Sequence, residues 1–210
     1  MRGLITIGAI SVALLGVQLT GNYFGIRLFL WAHLAHQFIA EVFLATGGDP
    51  YSLTYKWLYV LISLPILVTA VAINGKVLTC VPENQRTAFI LPVIAGILAF
   101  YATPFAVTPI GVFMALQALV LGVVGIQTRI AAEYLESVRE QAPFKTLGLL
   151  WLGQSFLFAM HACGLDLNPQ GWNSVGEWLP ASLVIAGTLK LTWDFLTEGR
   201  HETVAKLSAQ

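Results

Sequence analysis

Apolar stretches of near-membrane length recur along this chain, and that repetition constrains its fold more than any other feature. A helix needs about 20 consecutive, mostly apolar residues to cross the hydrocarbon core of a bilayer. Seven stretches meet or approach that length, over residues 3–20, 25–45, 57–75, 87–103, 107–129, 145–164 and 178–197. Turn chemistry separates them. Gly21 and Asn22 stand between the first two, and Gly47, Gly48, Asp49 and Pro50 between the second and third. Asn74, Gly75, Pro82 and Asn84 bracket the next break, Pro104 and Pro109 mark a tight turn, and a polar run covers Glu133 to Pro143. Asp166 to Trp172 supplies the last break with Asn, Pro and Gly. Lipid offers no partner to backbone N–H and C=O groups, so such spans fold as helices. The expectation is an all-α, polytopic bundle of seven transmembrane helices over residues 1–197, followed by a short cytoplasmic tail at 198–210.

Composition agrees. Hydrophobic residues make up 57% of the chain and charged residues 10%, against roughly 25% charged in an ordinary soluble domain. Mean hydropathy is +0.75. Eleven Lys and Arg balance eleven Asp and Glu, which leaves no basic excess for nucleic acid. Two cysteines, Cys80 and Cys163, are too few for a disulfide framework or a zinc knuckle. Phosphate-binding loops, nucleophile elbows, zinc-protease signatures and paired catalytic carboxylates are all missing from the sequence, so enzymatic activity is not expected. Arg2 precedes the first apolar stretch as in a signal peptide, but its length and the lack of a small-x-small cleavage site favour a retained span.

Basic residues set the orientation, because cytoplasmic loops collect them. With the third-to-fourth connection inside, Arg27, Lys76, Arg86, Arg129, Arg139, Lys145, Arg200 and Lys206 fall on the cytoplasmic side, and only Arg2 and Lys56 fall outside. Seven spans with this bias place the N-terminus outside and the C-terminus inside, in a cytoplasmic (inner) membrane.

Lys190 belongs to no loop. About twelve residues of its span precede it and seven follow, so it sits near mid-bilayer, where a lysine costs a few kcal/mol. One reading is a Schiff-base lysine, an amine in an apolar pocket that attacks a carbonyl. The other is pairing with Asp194, one turn on along the same helix face, or snorkelling to the interface. His33 and His36 lie one turn apart in the second span, and His161 lies near the end of the sixth. Such histidines either ligate haem or a metal or bond a neighbouring helix. Glu41 stands near the outer end of the second span.

The third span carries a resemblance. Lys56-Trp57-Leu58-Tyr59-Val60-Leu61-Ile62-Ser63-Leu64-Pro65-Ile66-Leu67 is similar to the third helix of microbial rhodopsins, Arg-Tyr-x-Asp-Trp-Leu-x-Thr-x-Pro-Leu-Leu. Leu61, Pro65 and Leu67 match, and Lys56, Trp57, Ser63 and Ile66 are similar replacements. Pro65 and Lys190 are 125 residues apart, close to the family's spacing between its helix-three proline and its retinal lysine. The resemblance implies retinal bound as a Schiff base on Lys190, with Trp57, Tyr59, Ser63, Gln154, Phe158 and His161 lining the pocket. The family's primary counterion aligns with Tyr59, its internal proton donor with Ala70 and its second counterion with Ala186. Its helix-three tryptophan aligns with Val60, and its sixth-helix Trp-x-x-Tyr-Pro with Gln154, Leu157 and Phe158. Asp194, His36 and Glu41 remain as counterion or gating residues, or a chloride bound near Ser63 and His36. The implied function is a membrane photoreceptor or an atypical light-driven ion transporter, not an ordinary proton pump.

Three other functions stay open. One is a chromophore-free opsin-like protein or an accessory subunit of a membrane complex, self-associated or bound to other membrane subunits. The second is an electron-transfer subunit binding haem b or quinone through His33 or His36 with His161. The third is a small intramembrane enzyme acting on a lipid or isoprenoid.

Overall fold

The computed structural model describes residues 7–8, 10–14, 24–49, 52–104, 108–135, 138–163, 182, 185–194 and 197. Every regular element among them is helical. The complete elements are α1 (Phe24–Ala45), α2 (Leu53–Leu78), α3 (Glu83–Arg86), α4 (Ile90–Ala102), α5 (Pro109–Ala131) and α6 (Val138–Ala162), with 3-10 turns at Thr87–Phe89 and Ala132–Tyr134. Residues 10–14 and 185–194 are also helical and fall within the first and last apolar stretches. The tail at 198–210, the break at Asp166–Trp172, and Arg2, Arg200, His201 and Lys206 lie outside the described residues.

The boundaries follow local chemistry. Gly47 ends α1 at φ +87, where a side chain would be strained. Its N–H bonds Leu44 O at 3.1 Å and Gly48 N–H bonds Phe43 O at 3.0 Å, the paired bonds of a Schellman stop. Ser52 caps α2 by accepting from Tyr55 N at 3.1 Å, and Thr108 caps α5 by accepting from Gly111 N at 3.1 Å, with Pro109 at the first helical position. Pro65 lies inside α2, and the Thr69 hydroxyl donates to its carbonyl at 2.8 Å.

Four helical stretches are long and apolar enough to cross a membrane: Gly25–Ala45, Leu53–Leu78, Glu83–Ala102 and Pro109–Tyr134. Their outer faces carry exposed Val68, Leu91, Leu98 and Tyr101, while His33, His36, Ser63, Asn74, Gln117 and Gln127 are buried. Lipid as the surrounding solvent explains that arrangement; water would reverse it. The polar run Glu133–Pro143 is not a loop throughout, because α6 begins at Val138, ahead of the expected start at 145. Pro143 lies inside this helix, beyond its first turn, and gives up one intrahelical N–H bond, while Lys145 ties this end down, reaching Glu133 at 2.8 Å and Gln141 at 3.3 Å.

The tightest pairing joins α5 to α6, followed by α1 to α2, α2 to α5, and α4 to α5. Small residues make it possible. A Cβ on Gly96 would stand 2.7 Å from Leu119 and Val123, which brings α4 onto α5. The Ser155 hydroxyl of α6 donates to Ala118 O of α5 at 2.6 Å. Trp151 of α6 is fully buried, with Phe29 and Leu30 of α1, in one continuous apolar core.

Candidate functional site

Two polar seams run through this apolar bundle, and they differ in one respect. Between α2 and α5 each amide finds partners. Ser63 Oγ donates to Val60 O at 2.7 Å and to Gln117 Oε1 at 3.0 Å, and Gln117 Nε2 donates back to Val60 O at 3.2 Å. Three turns further on, Asn74 Nδ2 donates to Gln127 Oε1 at 2.9 Å, Thr128 Oγ1 donates to Asn74 Oδ1 at 2.9 Å, and Gln127 Nε2 donates to Phe89 O at 2.8 Å. These bonds clamp helices together.

The other seam joins α1, α2 and α6, and it leaves polar atoms over. Phe29, His33 and His36 share one face of α1, as Trp151, Gln154 and Phe158 share one face of α6. The Phe29 ring meets Trp151 edge-on at 5.7 Å and stacks near His33 at 6.0 Å. The Gln154 amide nitrogen donates to His33 Nδ1. His36 packs on the Tyr59 ring of α2 at 4.4 Å, and Tyr59 in turn meets Phe158 at 5.8 Å and His161 at 5.9 Å. Three buried atoms in this cluster have no hydrogen-bond partner: His36 Nε2, Trp151 Nε1 and Gln154 Oε1. Unpaired buried polar atoms are uncommon in folded proteins, because each costs about 1–3 kcal/mol. No group of three or more His, Cys, Asp or Glu is placed to hold a metal ion among the described residues.

The residues singled out by sequence therefore divide three ways. Tyr59, Gln154, Phe158, His161 and His36 come together in the α1–α2–α6 seam. Trp57 and Ser63 turn instead to α5, where Trp57 meets Phe113 at 5.9 Å. Lys190 and Asp194 form a separate pair, with Lys190 Nζ 2.8 Å from Asp194 Oδ1. Thr146 of α6 donates to Asp194 Oδ2 at 2.7 Å. The Lys190 side chain is 57% exposed and that of Asp194 only 7%. Glu41 is half-buried near the end of α1. Phe29, Trp151 and Thr146 went unread as site residues. The i, i+3, i+7 spacing of Trp151, Gln154 and Phe158 on one helix face was the available signal for Trp151.

No family model, curated protein or solved structure matches this chain.

Proposed function

We propose that the chain is a seven-span integral membrane protein of the cytoplasmic membrane, N-terminus outside, which holds a flat, membrane-soluble carbonyl compound in the seam between α1, α2 and α6. The observation that carries this reading is the set of three unpartnered buried atoms on His36, Trp151 and Gln154. In the same bundle Asn74, Gln117 and Gln127 each have a partner on both the amide oxygen and the amide nitrogen. Ligand sites are mostly apolar and aromatic with a few placed polar groups, and Phe29, Tyr59 and Phe158 supply such walls here. The test is a thermal-shift screen of the delipidated, purified protein against all-trans-retinal, decylubiquinone and a saturated alkane control. A ligand selective for the folded state raises Tm. If no carbonyl compound raises it above the control, this reading is wrong.

A second reading, retinal carried as a Schiff base on Lys190, is favoured by the carboxylate of Asp194 at 2.8 Å. A protonated imine in lipid needs an anion beside it, and Thr146 holds this one in place. Added retinal should then give one broad visible band that hydroxylamine bleaches and that Lys190→Ala loses. Lys190→Arg should lose it as well, since a guanidinium forms no imine under these conditions.

A further inference from the structure

We infer that the outward face of the helix at 185–194 binds an acidic phospholipid of the inner leaflet, with Lys190 and Trp193 on its headgroup and Leu189 and Ala186 along an acyl chain. This goes beyond the seam between α1, α2 and α6 and shares no residue with it.

Depth comes first. From Pro109 to Arg129 α5 rises about 30 Å, the thickness of the hydrocarbon core of a bilayer, so with Pro109 at the outer boundary Arg129 marks the inner one. Gly148 of α6 stands at that level, because a Cβ there would lie 3.0 Å from Arg129 Cβ. The helix at 185–194 runs back along α6. A Cβ on Gly187 would stand 3.4 Å from Leu150 Cβ, and Thr146 bonds Asp194 at 2.7 Å. Lys190 falls between those two contacts, level with Gly148 and Arg129. It therefore lies at the inner boundary and not near mid-bilayer, as its place in its apolar stretch suggests. The length of a stretch does not fix depth; the contacts with α6 do.

Side-chain chemistry comes second. Leu189, Lys190 and Trp193 are exposed, and Lys190 and Trp193, three residues apart, are neighbours on the helix surface. An ammonium has three N–H donors and an indole one. Asp194 Oδ1 takes one from Lys190 at 2.8 Å, which anchors the ammonium and leaves it two. The acceptors at this depth are lipid phosphate and ester oxygens, and tryptophan gathers at the same level of a membrane. Leu189 and the exposed Ala186 continue the face toward the membrane centre. Charge comes third. Asp194 is buried beneath the pair and its second oxygen is held by Thr146, so the pole that faces the lipid is the cation. Arg129, exposed at the same level, adds to that field. Basic groups at the cytoplasmic surface attract acidic headgroups.

The experiment uses the full-length protein in mild detergent, titrated with phosphatidylglycerol, phosphatidylcholine or inorganic phosphate, with bound molecules counted by native mass spectrometry. Phosphatidylglycerol should bind saturably and more tightly than phosphatidylcholine. Lys190→Ala and Trp193→Leu should each weaken it by about three- to tenfold, the worth of one net hydrogen bond. Lys190→Arg should keep it, and since a guanidinium forms no imine under these conditions, that result separates lipid binding from retinal attachment. Tyr101→Leu, an exposed ring at the other end of α4 from Ile90, should change nothing. If Lys190→Ala does not fold, Trp193→Leu decides alone. Phosphatidylglycerol binding that neither variant weakens overturns the inference. Equal affinity for the two lipids also overturns it, as does inorganic phosphate binding as tightly as the lipid, which would mark a site for a free anion.

Discussion

Gly125 of α5 and Gly148 of α6 face each other so closely that neither position has room for a methyl group. A Cβ on Gly125 would stand 2.8 Å from Gly148 O, and one on Gly148 would stand 2.6 Å from Gly125 O. Both obstacles are backbone, so no side chain can swing aside. Gly148→Ala should therefore push the helices apart at a cost of about 1–3 kcal/mol. Thermal unfolding in detergent should show the loss, and Gly75→Ala, which meets nothing within 4 Å, should not. Equal Tm values for the two variants would mean that α5 and α6 are not packed this closely.

Asn74 and Gln127 should behave as one unit. Gln127→Leu strands Asn74 Nδ2 and Phe89 O, at about 1–2 kcal/mol. Asn74→Leu strands Gln127 Oε1 and the Thr128 hydroxyl at a similar cost. The double variant removes both partners of the 2.9 Å bond, so it should cost less than the two single losses added. Strict additivity in a double-mutant cycle would refute the contact.

Lys190 and Asp194 separate chemistry from electrostatics. Lys190→Ala leaves a buried carboxylate with only the Thr146 hydroxyl described beside it, a loss of about 1–3 kcal/mol after allowing for solvent at the exposed lysine. Lys190→Arg should restore the stability that Ala removes. Failure of Arg to restore stability, together with retinal uptake by the wild type alone, would show that the amine matters as a nucleophile.

Sustained outward proton current under illumination is not expected, even with retinal bound. Tyr59 packs against His36, Phe158 and His161, and Ala70 is fully buried; neither is a carboxylate that could accept or donate a proton at those positions. Light-induced acidification of a cell suspension that a protonophore abolishes would contradict this.

Reporters placed in the connections near Gly48 and near Cys80 should report opposite sides of the membrane, with Cys80 cytoplasmic. The motive is the basic residues Lys76, Arg86, Arg129 and Lys145 gathered at the Cys80 level and at the α5–α6 connection. Cysteine labelling from outside that reaches Cys80 in intact cells would reverse the orientation.

Apolar length and turn chemistry are local properties, and they were legible in the chain. Gly47, Gly48, Asp49, Pro50, Pro104 and Pro109 mark breaks wherever they occur, so α1, α2, α4 and α5 fall close to their expected stretches; the caps Ser52 and Thr108 emerged only from the structure. The start of α6 was misplaced, because charged residues read as loop unless something binds them; Lys145 does so through Glu133 and Gln141. The polar residues inside the spans were equally visible, but their partners were not. Asn74 and Gly75, expected to bracket a break, lie instead inside α2, where Asn74 is buried and bonds Gln127. His33 and Ser63 look alike in sequence, each a polar group in an apolar run. Which one is satisfied depends on how each helix is rotated about its axis and which neighbour it meets. That rotation is set by packing of small residues such as Gly125, Gly148 and Gly96, far along the chain from the groups they orient. Ser63 and Trp57 accordingly turned to α5 while Tyr59 turned to α1 and α6. The three orphaned atoms exist only because the bundle brings Trp151 and Gln154 against a face of α1 that offers too few partners.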